Sequence, residues 1–235
     1  YGTEEQKKYY LPRLATGVDI PCFALTEPGA GSDATSIQSF AVVTRKTING
    51  KDTLGLKITI DKRWITLAPI ATLVGLAVQV RDPEGLLQGE GTEGITCLLV
   101  PRDTKNLIIG NRHIPAEQPF MNGTIRGKDI FVPISSVIGG QKRVGSGWQM
   151  LVECLSIGRS ISLPALGAGS SALAYLTSGA FARIRKQFNV EIGQFEGIEE
   201  KLAEIAGLTY LTAATRLLTV AAVNEHKKPS VASAI

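Results

Sequence analysis

Apolar and polar positions change period along the chain, and the changes mark its elements. Residues 3 to 10 read as a helix, because Thr3 with Gln6 three places on forms a capping box. Pro12 is expected to break that pattern, with Gly17 closing a short second turn over residues 13 to 16. From about residue 20 to 133 the character is that of strands. Leu54, Leu56, Ile58 and Ile60 alternate with polar or small residues, as a half-buried strand requires. Asn49-Gly50 separates this run from apolar residues 40 to 43, and both residues tolerate the positive φ of a type I′ turn, so a hairpin is predicted. Residues 70 to 80, 95 to 100 and 128 to 132 are further strands, the last ending at Pro133. Strands follow strands with no helix between, which predicts an antiparallel barrel or sandwich rather than βαβ units.

After Gly145 a helical period takes over. Trp148, Leu151, Val152 and Leu155 stand at i, i+3, i+4 and i+7. Residues 165 to 181 are rich in Ala, Gly, Ser and Leu, which suits close helix packing. A third helix over about 194 to 224 carries Ile198, Leu202, Ile205, Leu208 and Leu211 at helical spacing. This half reads as part of a helical bundle. The chain is thus α+β and multidomain: residues 1–18 end a helical domain, 19–135 form a middle β-domain, and 145–235 begin a C-terminal helical domain. It opens at Tyr1 rather than Met and stops shortly after Pro229, so both ends read as cuts through a longer protein.

Composition narrows the function classes. With 235 residues, 44% hydrophobic and 20% charged, the chain can bury one large core or two modest ones. The net charge of +4 is mild and its Lys and Arg are scattered, which argues against nucleic acid. Cys22, Cys97 and Cys154 lie far apart without a CxxC, as in a reduced intracellular protein with buried thiols. His113 and His226 have no second ligand at useful spacing, which argues against a metal site. No continuous apolar run approaches a membrane span, and no signal peptide opens the chain.

The sharpest local feature is Phe23-Ala24-Leu25-Thr26-Glu27-Pro28-Gly29-Ala30-Gly31-Ser32-Asp33. Gly29-x-Gly31-x-x-Ala34 matches a dinucleotide fingerprint, but that motif needs a helix directly afterwards, and the chain from Ser36 heads into a strand. Two readings remain. One is a loop of small residues whose backbone N–H groups approach an anionic or polar ligand, with the Thr26 and Ser32 hydroxyls adding donors. The other is a tight turn between strands.

Taken whole, the string from Leu25 to Asp33 resembles the signature of the acyl-CoA dehydrogenase family. Arg63-Trp64-Ile65-Thr66 resembles that family's second flavin segment. Gly94-Ile95-Thr96, Asp129-Ile130-Phe131-Val132-Pro133 and Gly145-x-Gly147-Trp148 recur there in the same order, and Arg185-Lys186-Gln187-Phe188 resembles its Arg-Lys-x-Phe stretch. Gly139-Gly140 and residues 153–159 are most similar to the large bacterial members of fatty-acid β-oxidation. The resemblance implies FAD as cofactor and a fatty acyl-CoA as substrate. It implies an α,β double bond made by passing the α-proton to a carboxylate base and the β-hydride to flavin N5. Electrons would go on to an electron-transfer flavoprotein, and the protein would be a homo-oligomer, dimeric or larger. A cytoplasmic location follows, with peripheral attachment at the bacterial inner membrane as the variant.

The same resemblance assigns roles. Phe23, Ala24, Leu25, Thr26, Gly31 and Ser32 would wrap the flavin, mostly through backbone, and Ser32 would also meet the thioester end of the substrate. Trp64 and Ile65 would line the isoalloxazine, and the Thr66 hydroxyl would donate to N5. Outside the family pattern Trp64 reads as a core tryptophan and Thr66 as a strand threonine. Arg185 would reach the FAD pyrophosphate from a neighbouring subunit, since its planar fork suits a diphosphate, with Lys186, Gln187 and Phe188 in support. Its plain reading is a solvated cation at a helix end. Arg159 would sit beside the reacting thioester; among Ile157, Ile161 and Leu163 it needs an anionic partner if buried.

Departures from the family pattern matter too. The family's His-Gln pair facing FAD is Phe195-Glu196 here, and its acidic residue near CoA is Ser156. Most members carry the base late in the C-terminal bundle, and a minority carry it directly before the arginine matched by Arg159, where Gly158 stands. Glu153 and Glu204 match neither place. The base glutamate is therefore expected downstream, and this chain alone is expected to be inactive. Two other readings stand beside this one: an acyl-CoA oxidase-like flavoenzyme giving electrons to oxygen, and a non-catalytic acyl-CoA- or nucleotide-binding module.

Overall fold

A computed structural model describes residues 1–225 and Lys227; His226 and residues 228–235, with the end of the helical domain expected over 145–235, lie outside the described residues. The chain forms two compact units, Tyr1–Met150 and Leu151–Ile235.

In the first unit, helix α1 (Glu4–Ala15) opens on the expected box: Gln6 N donates to Thr3 Oγ1 at 3.2 Å, and Thr3 N to Gln6 Oε1 at 3.0 Å. The Gln6 amide also donates to the Ser135 and Val137 carbonyls, which ties the helix to the chain leaving the sheet. Contrary to expectation, the helix continues through Pro12. No residue of α1 is buried, so the loss of one backbone bond occurs on a solvated helix. The last turn is held instead by the Thr16 amide and hydroxyl on the Pro12 carbonyl, at 3.1 and 2.9 Å, and by a two-pronged Arg13–Asp19 pair.

Seven strands follow: β1 (Pro21–Ala24), β2 (Phe40–Ile48), β3 (Lys51–Thr66), β4 (Leu73–Arg81), β5 (Gly94–Pro101), β6 (Ile108–His113) and β7 (Asn122–Pro133). They run in the order β1-β4-β2-β3-β7-β6, with β5 also on β4. Asn49 and Gly50 take φ of 50° and 77°, the predicted I′ hairpin between β2 and β3. The alternation in β3 buries Leu56, Ile58 and Ile60 and leaves Leu54 half-buried; with Leu76, Leu98, Ile125 and Ile130 they form the core.

The sheet is mixed rather than wholly antiparallel. Two chain reversals, at Asn49-Gly50 and over residues 67–72, return β4 to the direction of β2, so these two pair in parallel, as do β1 and β4. One edge of β4 is taken along its length by β5, and the other is shared end to end by β1 and β2. Residues 25–39 leave the sheet in the gap between β1 and β2.

Helix α2 (Gly147–Ile184), all but its first four residues in the second unit, runs unbroken through Pro164 where two helices were expected, and α3 (Glu196–Asn224) falls close to its predicted span. Between them β8 (Lys186–Gln187) and β9 (Val190–Glu191) make a small hairpin, turned by Phe188 and Asn189 at φ 54° and 63°. Both long helices expose apolar side chains, among them Leu166, Leu173, Leu176, Leu208, Leu211 and Leu218. By length and composition alone, α2 and α3 could each cross a membrane, which corrects the expectation from continuous runs. Gly and Thr, joined by Ser in α2, interrupt the apolar run in each, and the Ala, Leu, Ile and Val around them keep its average high. Cys22 and Cys97 are buried but Cys154 is exposed, correcting the expectation of three buried thiols.

Gly55 marks a tight crossing in β3: an added Cβ would meet the Val132 carbonyl and the Phe131 ring. Gly55→Ala is expected to destabilise the first unit by about 1–3 kcal/mol, read as a lower urea midpoint with unchanged slope.

Candidate functional site

Residues 25–32 leave β1 and turn at once. Glu27 N donates to the Ala30 carbonyl at 3.1 Å, and Ala30 N to the Glu27 carbonyl at 3.2 Å, closing a tight turn over Pro28-Gly29. Ala30 is buried, while Pro28, Gly29, Gly31 and Ser32 are exposed. Neither Gly29 nor Gly31 has a positive φ, and a Cβ on either would meet no atom of this chain. Folding within the chain therefore does not require glycine at these places. Their small size leaves the backbone of Gly29 and Gly31 on the exposed side of the turn.

What fixes this loop is a buried ion pair. Lys62 is 0% exposed, and its Nζ donates to Glu27 Oε1 at 2.6 Å and to the Leu25 carbonyl at 3.0 Å. The Glu27 carboxylate also accepts from the Gln38 amide at 2.6 Å and the Ser39 amide at 3.1 Å. Both ends of the excursion are thereby held to β3. Burial alone would raise the Glu27 carboxyl, but the bonds from Lys62, Ser39 and Gln38 outweigh it and hold the group below the usual carboxylate range.

Immediately after Lys62 the strand bulges. Lys62 pairs with Ile125 but Ile65 with Gly123, so β3 takes one residue more than β7, and Trp64 sits in the bulge at φ 58°. Arg63 N donates to the Thr26 carbonyl at 3.0 Å, which fastens the loop to this edge. Ile65 faces the core, while Trp64, 47% exposed, and Thr66 face outward. Trp64 is therefore not a core tryptophan. Its ring meets the edge of His113 at 4.5 Å between centroids, with the planes 81° apart, and the Arg63 guanidinium lies 5.9 Å from it. The Thr66 hydroxyl stands 3.5 Å from Asn122 Oδ1.

Of the residues assigned from sequence, the structure gathers 23–32 and 64–66 in the first unit. Ala24 is fully buried and can offer only backbone, and the Phe23 ring packs over Gly75 of β4. Arg185, Lys186, Gln187 and Phe188 belong to the second unit, all exposed at the end of α2 and in β8. Lys186 pairs with Glu191 at 3.1 Å, and Phe188, 90% exposed, meets Phe195 edge to face. Arg159 lies on α2 and is exposed, so the anionic partner that burial would demand is not needed. Sequence reasoning missed Lys62, Asn122 and the role of His113. Only Lys62 left a trace, a lysine directly before the flavin-like segment.

A family model of the acyl-CoA dehydrogenase middle domain matches residues 22–122, and one of the acyl-CoA dehydrogenase C-terminal domain matches residues 145–235. The probable acyl-CoA dehydrogenase YngJ of Bacillus subtilis is 34% identical over 234 residues, covering 97% of this chain and 56% of that protein. Protein HemX of Proteus mirabilis is 53% identical over 104 residues, 44% of this chain and 61% of that one. A crystal structure of an acyl-CoA dehydrogenase complexed with FAD from Bacillus anthracis superposes with a TM-score of 0.76 at 30% identity, covering 92% of this chain and 34% of that chain. The chain belongs to the acyl-CoA dehydrogenase family. It spans about half the length of the curated relatives it matches.

Lys62→Met is expected to cost about 3–5 kcal/mol, because it strands a buried carboxylate. The sign of its pH dependence follows. The depressed Glu27 pKa contributes stability above the ordinary carboxylate range, and this is lost as pH falls through the folded-state value. In the variant, the unpaired carboxyl gains by protonation instead. The difference in urea midpoint between the two proteins is expected to narrow as pH is lowered.

Proposed function

We propose that the protein carrying this chain is an FAD-dependent acyl-CoA dehydrogenase that introduces an α,β double bond into a fatty acyl-CoA. One observation carries the reading: the Thr26 carbonyl on Arg63 N joins a loop of open glycine backbone to an edge that presents Trp64 and Thr66 outward. That edge and loop fit a planar aromatic ring with polar atoms at its rim. The FAD complex of the Bacillus anthracis relative supports the choice of cofactor. FAD, when bound, supplies the two-electron acceptor for oxidising the acyl Cα–Cβ bond.

The chain's own residues shape and orient. The Trp64 ring covers one side of the site and excludes water there. The Thr66 hydroxyl offers a donor where negative charge develops. The Gly29, Gly31 and Ser32 amides, with the Ser32 hydroxyl, donate to polar groups of cofactor and thioester, and Phe23, Ala24, Leu25 and Thr26 form the wall behind them. Arg185 provides a fork for the pyrophosphate of a neighbouring copy in a homo-oligomer, supported by Lys186, Gln187 and Phe188. Arg159 positions the thioester. No carboxylate of this chain is assigned as base: Gly158 precedes Arg159, and Glu27 is locked onto Lys62. The α-proton goes to a carboxylate elsewhere in the protein, and the electrons leave to an electron-transfer flavoprotein. A cytoplasmic location, with or without inner-membrane attachment, completes the proposal.

The full-length protein is expected to purify yellow and to reduce a dye acceptor with palmitoyl-CoA while forming little peroxide. This chain alone is expected to show no turnover. A colourless full-length protein that cannot be reconstituted with FAD would refute the reading, and turnover by this chain alone would refute the assignment of the base. Gly31→Ala is expected to weaken FAD binding by fluorescence titration while changing folding stability by no more than about 0.5 kcal/mol.

A further inference from the structure

β3 ends at Thr66, and the chain reverses at once. Ala68 N donates to the Ile65 carbonyl at 3.2 Å, which makes Thr66 and Leu67 the two central residues of a turn. Ile70 N and Ala71 N then donate to the Leu67 carbonyl at 3.0 and 2.8 Å, so the turn runs on as a short helix-like coil. Leu67 takes φ 67°, which a leucine adopts only when its surroundings impose it. On the β7 side the reversal is held by Leu67 N, which donates to the Met121 carbonyl at 2.7 Å.

A coil of this kind leaves its last carbonyls without amide partners. Here the carbonyls of Ala68, Pro69 and Ala71 converge on one nitrogen, Nη1 of Arg102, at 3.3, 3.1 and 2.9 Å. Nη1 carries two protons, so the three oxygens share them, and the Ala71 bond is the best formed. A cation at this end also opposes the aligned carbonyl dipoles. The described side-chain bonds of Arg102 all go to these carbonyls, and its own amide donates to the Thr72 carbonyl at 2.9 Å. Ala68 and Ala71 are fully buried, so removing the donor leaves their carbonyls poorly solvated. The strained Leu67 is where such a turn gives way, and Thr66 shares that turn. Arg102 lies outside every segment that carries the family resemblance.

We propose that Arg102 is a positioning residue: by capping the reversal that begins at Thr66, it holds Leu67 at its positive φ and so aims the Thr66 hydroxyl at the cofactor. This rests on the proposed placement of the flavin at Thr66. The test uses the full-length, FAD-loaded protein with Thr66→Val, Arg102→Met, Arg102→Gln and each Arg102 variant combined with Thr66→Val. Thr66→Val is expected to lower kcat by roughly a hundredfold, as loss of one donor to developing charge does. Arg102→Met is expected to lower it by roughly tenfold, as a misplaced group does. KM is expected to change little in either, and both are expected to alter the visible absorption of bound FAD in the same sense. In the double variant Arg102→Met is expected to add nothing to Thr66→Val, since no hydroxyl remains to be aimed. Arg102→Gln, whose shorter amide keeps two donors, is expected to fall between wild type and Arg102→Met, and it decides by the same comparison if the methionine variant does not fold. A loss of kcat by the same factor with and without the Thr66 hydroxyl would overturn the inference, because Arg102 would then act on the fold at large. Wild-type spectra and kcat in both Arg102 variants, with Thr66→Val altered, would also overturn it and leave the proposed function standing. A Thr66→Val protein with unaltered flavin spectrum and kcat would overturn the placement of the flavin and this inference together.

Discussion

The Glu27–Lys62 pair is the constraint on which the first unit's surface depends. Taking two charges out of water costs several kcal/mol per ion, and attraction between them offsets this only when the remaining donors and acceptors are also met. Here they are met by backbone: the Leu25 carbonyl on Lys62, and the Gln38 and Ser39 amides on Glu27. The pair therefore does more than neutralise itself. It joins the point where the chain leaves β1 to the point where it returns towards β2, and sets both against β3. Between those points the loop closes on itself, Glu27 with Ala30 and Asp33 with Thr35 and Ser36, and Gly29 and Gly31 face open space.

Sheet topology supplies the room. Because β1 and β2 divide one edge of β4 between them, the sheet itself leaves a gap through which residues 25–39 pass. Two residues after Lys62 the β3 bulge turns Trp64 to a positive φ, and the alternation of the strand then sends Ile65 inward and Thr66 outward. Ion pair, bulge and the Thr26–Arg63 bond follow one another within a few residues of β3.

Much of this fold was legible in the sequence wherever the signal is local. The Thr3–Gln6 box, the Asn49-Gly50 turn and the alternation from Leu56 to Ile60 each depend on residues a few places apart, and each formed as read. Pro12 misled, because it removes only one bond from a helix whose last turn the Thr16 and Arg13 contacts hold. The parallel pairings were hidden, since they depend on where two later reversals send the chain. The site was legible mainly through resemblance: composition alone left Trp64 as a core tryptophan, and only its exposure beside the loop decides otherwise. Glu27 and Lys62 are 35 residues apart, and Asn122 is 56 from Thr66. No spacing rule links such partners, so the interactions that hold the site together became visible only in three dimensions.

Amide hydrogen exchange on the full-length protein, before and after FAD is added, tests most directly whether the ion pair shapes the loop in advance of any ligand. Without FAD, the Gln38, Ser39 and Arg63 amides are expected to exchange as slowly as those of buried β4, and the Gly29 and Gly31 amides rapidly. FAD is expected to slow only the glycines. Rapid exchange at Gln38, Ser39 and Arg63 until FAD is added would contradict the account, because the loop would then take its shape from the ligand and not from Glu27 and Lys62.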